Sequence, residues 1–500
     1  MSRIKFAYHS RLKIITFFFN SFIFSQSAYL SHDQLLPLSP LFDELVTTFR
    51  APNEYHQQKI KLSFNSHRIV NSGHSNIDNA SEIFAPGNST SAFSFRFSYA
   101  SNFLLLNLEP YQINHSNYFF SSPPIGALQY TNNYTDNNFF KKKSIGFKQS
   151  NIVIHFNGLG IGYGKMSNWW GPGFHSAIAL SSNAPSRLTY VLGTFDNISL
   201  NKLSIGFQFL ASPGENYLNQ KIYFTGMKSQ IIYDSDPKIT VGFHRTFLSG
   251  DFPENSINNK TNSTWSFEDA IGLIFNPLFG QKKSSLSFTI PGTPGFDRWD
   301  EVLTGYIKLN FTDQNLELYI DLASDDSRAN FVDLRAHWDH TLAYQIGFKK
   351  FFNFNKYVTF LGYEITSTIE SNTFKSEFYR GRPNIIHYYS KPDYDYFTYN
   401  GRFMGAHSGS SSRDAIYIFG ISNYKATCFL SFNNEIHGIK AEQFPEIKNE
   451  ISLFLGYKYS INHSIFLNVE SEKINNFNFK NNKISQSRML WLGYSYHFKI

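Results

Sequence analysis

The densest chemistry in the chain lies in Asn168-Trp169-Trp170-Gly171-Pro172-Gly173-Phe174-His175, directly after the Gly-rich stretch 158–164. Two adjacent indoles followed by Gly-Pro-Gly make a rigid aromatic corner. An indole face can stack on the CH face of a pyranose while donors such as Asn168 and His175 fix its hydroxyls. The same residues serve equally well as an aromatic girdle that anchors a barrel rim, and the local pattern leaves both readings open. A second cluster runs Tyr379-Arg380-Gly381-Arg382-Pro383, then His387-Tyr388-Tyr389, and a third holds Arg402, His407 and Arg413. Guanidinium groups pair bidentately with carboxylates, so these clusters point to an acidic polysaccharide, or alternatively to solvated loops braced by Arg–Asp pairs. Arg298 and Trp299, beside the Pro/Gly-rich 291–295, read as either a binding loop or a surface turn.

Chemistry of the bond-making kind finds no support in the sequence. There is no G-x-S-x-G elbow, H-E-x-x-H pair, phosphate loop or dinucleotide fingerprint. His337 and His340 would face opposite sides of a strand. The acids Asp234, Asp236, Asp325 and Asp326 lack the spacing of a calcium loop. The expectation is a non-enzymatic chain that uses no metal and no cofactor.

The elements that must position these residues follow period two. Phe93, Phe95, Phe97 and Tyr99 alternate with Ser94, Arg96 and Ser98, and Leu316, Leu318, Ile320 and Leu322 alternate with Glu317, Tyr319 and Asp321. The same rhythm recurs near 58–70, 152–164, 203–209, 221–247, 303–311, 356–368, 425–435, 449–459 and 464–470. Such runs, separated by Asn-, Ser- and Gly-rich turns, amount to roughly 16–20 strands. At the C-terminus, Leu490, Leu492, Tyr494, Tyr496, Phe498 and Ile500 share one strand face, which resembles the signal read by the outer-membrane barrel-assembly machinery.

Composition points the same way. Aromatic residues are 18% of the 500, charged residues only 17%, and mean hydropathy is −0.30. No apolar run reaches the ~18 residues of a membrane helix, while an aromatic-rich alternating chain suits a lipid-facing barrel. The formal charge is +7, of which Arg3, Lys5, Arg11 and Lys13 contribute 4, leaving +3 for the rest. That is too little for a nucleic-acid footprint. Cys428 stands alone, so no disulfide framework exists.

Residues 1–27 read as a secretory signal, with a basic start, an apolar run through Phe24 and small residues at Ser25-Gln26-Ser27. Residues 28–57 read as a short periplasmic helical segment opened by Ser39-Pro40, with Asp43 and Glu44 in the first turn. Residues 58–500 form the barrel. About 18 strands of ~11 residues take up ~200 positions. The remainder forms long loops near 71–91, 112–144, 248–264 and 370–413, which cover the mouth or fold into the lumen.

With barrel and Trp motif together, the chain resembles the Wzi capsule-assembly family. Asn168-Trp169-Trp170-Gly171-Pro172-Gly173 with the later Ala179-Leu180-Ser181-Ser182-Asn183-Ala184 is similar to that family's W-W-G-P segment and the strand after it. Glu364-Ile365-Thr366, Tyr399-Asn400-Gly401-Arg402 and Gly405-Ala406-His407-Ser408-Gly409 resemble its later blocks. Phe, Asn, Lys and Ile usage is similar to a Bacteroidetes-type homologue. The resemblance implies an all-β fold: a transmembrane antiparallel barrel of about 18 strands with long plugging extracellular loops and a periplasmic helical part. It also implies a lectin-like hold on capsular or other surface polysaccharide at the outer membrane. A diffusion porin or glycan-uptake barrel is the alternative. The polysaccharide-binding candidates are Asn168, Trp169, Trp170, His175, Arg298, Trp299, Arg380, Arg382, His387, Arg402, His407 and Arg413, with membrane lipid and the assembly machinery as the other partners.

Overall fold

The computed structural model describes residues 59–116, 143–213, 222–250, 300–325, 342–369 and 397–498, apart from isolated positions within those ranges. The expected leader (1–27) and helical segment (28–57) lie outside the described residues. The described residues form one antiparallel sheet closed on itself and a small separate ladder that pairs Thr398–Tyr399 with Arg402–Phe403. In chain order the strands of the closed sheet are Lys59–Asn71, Asn88–Ala100, Leu104–Leu108 continued by Pro110–His115, Lys143–Phe147 continued by Asn151–Phe156, Leu159–Met166 and Arg187–Thr194 continued by Ile198–Leu200. Then follow Leu203–Pro213, Ile222–Tyr233, Lys238–Gly250, Asp300–Phe311, Leu316–Asp325, Leu342–Phe354 and Tyr357–Ser367. Arg413–Ser422, Ala426–His437, Glu446–Lys458, His463–Asn475 and Ile484–His497 complete it. Counting each interrupted strand once gives 18 staves. The first pairs with the last, Val70 opposite Leu490, so no sheet edge is left over.

Sequence explains the closure. Each strand sends alternate side chains outward, and the outward row is apolar: Leu318, Ile320 and Leu322 are exposed while Tyr319 and Asp321 between them are buried. Leu490 and Leu492 are exposed where Met489 and Trp491 are buried, as the C-terminal alternation predicts. A full circle of exposed Phe, Leu, Ile, Val and Tyr is tolerable only against lipid, since in water such a belt is an aggregation surface. The turns at one end are short. Asn157 (φ 49°) and Gly158 (φ 80°) join Phe156 to Leu159 as a two-residue turn with both central residues left-handed, the form whose twist matches flanking strands. The long segments 72–87, 167–186 and 368–412 all leave from the opposite end.

The interior is not an open channel along the described residues. One apolar body inside the wall stacks Phe174, Phe360, Phe429, Phe454, Phe466 and Trp491. A second joins Trp170, Ile178, Leu180, Phe403, Met404 and Ala406 to wall residues such as Val191, Phe224 and Ala343. Between them they include described residues of 72–87, 167–186 and 397–412, which therefore pack within the barrel. Several of the charged side chains facing inward are paired: Lys448 meets Asp78, Glu435, Glu450 and Glu472, and Glu317 meets Lys308 and Lys349.

Candidate functional site

The site is built from two in-folded segments and the wall that grips them. Segment 167–186 follows the Gly-rich strand and re-enters as the strand beginning at Arg187. Its first anchor is Glu364, an inward side chain 1% exposed on Tyr357–Ser367. Its Oε2 accepts from the backbone N–H of Phe174 (2.7 Å) and His175 (3.3 Å) and from the Tyr319 hydroxyl (2.6 Å). Its Oε1 accepts from the Ser176 N–H (2.7 Å) and the Gln345 amide (2.9 Å). Gln345 also donates to the Ser176 carbonyl at 2.8 Å. One wall carboxylate thus replaces the ladder bonds that three consecutive loop amides would otherwise lack.

Trp169 and Trp170 lie in this loop, not on a strand, apart from one bridge of Trp170 to Leu180. Trp169 is 8% exposed and donates its indole N–H to the Gly173 carbonyl (2.9 Å). Trp170 is 2% exposed, 5.8 Å from the His244 ring. A Cβ on Gly226 would stand 2.9 Å from the Trp170 ring, so the wall glycine makes room for the indole. Both rings are packed against protein rather than presented to solvent.

The second segment, 402–412, meets the first inside the barrel. The Ser181 N–H donates to the Met404 carbonyl (2.8 Å), and the Asn183 amide donates to the Phe403 carbonyl (2.9 Å). The His175 and His407 rings stand edge to face at 4.6 Å. Both approach Asp414 Oδ2, at 3.3 and 3.2 Å, and His407 Nε2 lies 3.8 Å from Glu435 Oε1. The Asn79 side-chain amide, from a third in-folded segment, reaches His407 Nδ1 (3.1 Å) and the His175 carbonyl (2.9 Å). Burial disfavours charge on His407, but Asp414, Glu435 and Asp78 outweigh it and push its pKa up to about 9. His407 is therefore a buried cation at neutral pH, and it joins segment 402–412 to the wall through Asp414 and Glu435. His175, His407 and Asp414 place ligand-type atoms within 4.8 Å of one another, yet a metal there would first have to displace the His407 proton.

The candidates named from the sequence distribute unevenly. Asn168, Trp169, Trp170, His175, Arg402 and His407 are brought together within the barrel. Arg402, 6% exposed, lies 5.5 Å over the Phe84 ring. Arg413 is exposed on the outward row with Tyr417 and Phe419, so it stands apart from the cluster, and its neighbour Asp414 takes the inward place. Arg298, Trp299, Arg380, Arg382 and His387 lie outside the described residues. Sequence reading passed over the roles of Asn79, Gln345 and Asp414. The only local signal for the wall residues was a polar side chain at an inward place of an alternating strand.

A closed antiparallel barrel with a continuous apolar outer belt is the architecture of an outer-membrane β-barrel protein. More narrowly, residues 74–251 match the family model described as capsule assembly protein Wzi, and that span holds the whole Trp motif. The Wzi resemblance read from the motifs is thereby borne out. In the solved structure of Wzi from Escherichia coli, 87% of this chain aligns with 85% of that one at 11% identity and a TM-score of 0.58. That protein is described as an outer-membrane protein involved in group 1 capsule assembly and as a carbohydrate-binding β-barrel. OccAB2 of Acinetobacter baumannii aligns over 88% of this chain and 98% of its own at 8% identity and a TM-score of 0.45. OccK5 of Pseudomonas aeruginosa aligns over 89% and 99% at 9% identity and 0.43. No curated protein matches by sequence.

Proposed function

We propose that this protein is a non-catalytic, lectin-like outer-membrane barrel that binds capsular or other surface polysaccharide and holds it at the cell surface. The observation that carries the reading is the clamp of two in-folded segments across the barrel, with Glu364 gripping 174–176 and His407 joining His175 to Asp414. A lumen filled this way suits a rigid platform better than a diffusion path. Support comes also from the family match over the clamped segment and from the carbohydrate binding ascribed to the E. coli barrel.

In this reading the long-loop end faces outward from the cell and the short-turn end faces the periplasm. Asn168, His175, Arg402 and His407 act within the clamp, and the buried Trp169 and Trp170 shape the loop that meets the glycan. Arg298, Trp299, Arg380, Arg382, His387 and Arg413 remain proposed contacts around the mouth. Purified refolded barrel should bind surface polysaccharide saturably, and a deletion strain should shed that polysaccharide into the medium. Unchanged retention in the deletion strain, with a steady open channel in planar bilayers, would instead establish the porin reading.

A further inference from the structure

The wall has two faces, and its cations are treated differently on each. Inward cations such as Lys308, Lys349 and Lys448 meet carboxylates. Around the seam where the barrel closes, the outer face carries charge of one sign. Five strands adjoin there in the order Glu446–Lys458, His463–Asn475, Ile484–His497, Lys59–Asn71 and Asn88–Ala100. Every acid in them, Glu446, Glu450, Glu470 and Glu472, belongs to the inward row. Lys473, Arg488 and Arg68 are exposed on the outward row, each in the half of its strand nearest the long segments. Lys480 and Lys483 are exposed in the turn between Asn475 and Ile484. Lys483 lies 5.0 Å over the Phe477 ring, and Arg68 donates to the Ser91 hydroxyl. Among the described residues none of these cations meets a carboxylate.

Strand register places them at the upper edge of the apolar belt. Ser471 pairs with Arg488 and Lys473 with Gln486, so Lys473 and Arg488 are diagonal neighbours on one face, about 7–8 Å apart at the backbone. Two long side chains at that spacing can meet on one anionic group. Directly below, Leu490 lies between Val469 and Val70, and all three are exposed. Arg68 stands one outward rung lower, opposite the exposed Leu492 and so inside the belt. A guanidinium against hydrocarbon is costly, and the cost falls as the long side chain lifts its head toward the interface and an anionic partner. The Ser91 hydroxyl takes one of its five donors. Cations set over an apolar belt match a molecule with an anionic head and acyl chains, since chains cover Val469, Leu490 and Val70 while the head meets Lys473 and Arg488. A free polyanion has nothing to lay on that belt. Phosphate suits both the guanidinium fork and the lysine point charge.

We propose that Lys473, Arg488 and Arg68, with Lys480 and Lys483 above them, form a docking patch for the phosphate-bearing headgroup of a membrane lipid. The lipid belongs to the leaflet at the long-segment end. This goes beyond the polysaccharide reading, because it concerns the outer wall and takes from that reading only that the long-segment end faces outward from the cell.

The test is titration of the full barrel in detergent with diphosphoryl lipid A, read by native mass spectrometry, beside the same lipid stripped of its phosphates. Wild type should bind the phosphorylated lipid at least about 10-fold more tightly, as charge-assisted pairs do. Changing Lys473, Arg488 and Arg68 together to Gln should remove that preference. Lys202→Gln with Lys356→Gln, which alters exposed cations at the short-turn end, should keep it. Arg488→Gln alone should weaken binding of the phosphorylated lipid about 10-fold and Arg488→Lys should weaken it less, which serves where the triple variant folds poorly. Inorganic phosphate and galacturonic-acid oligomers should compete only weakly. Equal affinity for the two lipids overturns the patch. So does a preference that survives the triple change or is lost equally in the short-turn variant. Competition by the acidic oligomers as strong as by the lipid itself overturns the lipid assignment. Glycan binding by the in-folded segments is measured separately, so failure here leaves the polysaccharide reading standing.

Discussion

Glu364→Ala is the perturbation from which most follows. The carboxylate accepts five hydrogen bonds, three of them from the consecutive amides of Phe174, His175 and Ser176. Each buried donor left without an acceptor costs about 1–3 kcal/mol, so the three amides alone amount to roughly 3–9 kcal/mol if the loop stays in place. Letting the loop go rehydrates those amides. It forfeits instead the packing of Phe174 on Phe360 and of Trp170 on the wall. The strands carry their own ladder bonds and closing pair, so the barrel should remain folded while 167–186 leaves its seat. The assay is single-channel recording in planar bilayers alongside limited proteolysis of detergent-solubilised protein. The variant should show a conductance absent from wild type and a new cleavage between 168 and 186. Glu364→Gln keeps one acceptor oxygen and should fall between the two. If Glu364→Ala is as silent and as protease-resistant as wild type, the clamp is not what holds the lumen closed.

Other outcomes follow from the same geometry. His407 has a pKa raised to about 9 from an ordinary 6.5, so its ion pairs stabilise the clamp fully below about pH 6.5 and progressively less as pH rises through 9. Protease resistance of 402–412 should therefore decline across that window, and His407→Ala should remove the pH dependence. Trp170→Ala leaves a cavity where a 2% exposed indole fills the space beside Gly226 and should cost about 3–5 kcal/mol, read as a lower midpoint of heat-induced gel-mobility change. Gly226→Ala forces the same indole aside and should destabilise by about 1–3 kcal/mol on the same gel. Lys448→Met leaves Asp78, Glu435, Glu450 and Glu472 without their shared cation, and should cost about 3–5 kcal/mol, read as a lower midpoint on the same gel.

The wall was legible because a half-lipid, half-lumen strand must alternate, and Leu316 to Leu322 or Leu490 to Phe498 do so without interruption. The strands broken at Glu109, at 148–150 and at 195–197 blur that rhythm, which is why counting alone left a spread around the 18 staves observed. The Trp motif was legible as a distinctive corner, but its burial was not. Whether an indole faces sugar or wall depends on Gly226 and His244, strands away. Glu364 meets Phe174 across 190 positions, a pairing that no window of sequence contains. The meeting of His175 with His407 depends likewise on two loops folding into one lumen. Arg413 shows the converse: a one-residue shift on an alternating strand turns a candidate outward and puts Asp414 in its place.

The most direct measurement of the central claim is equilibrium binding of purified barrel, in detergent, to polysaccharide extracted from the surface of its own cells. Wild type should bind saturably and show no conductance in bilayers. Absence of binding, together with a steady open channel, would contradict the account.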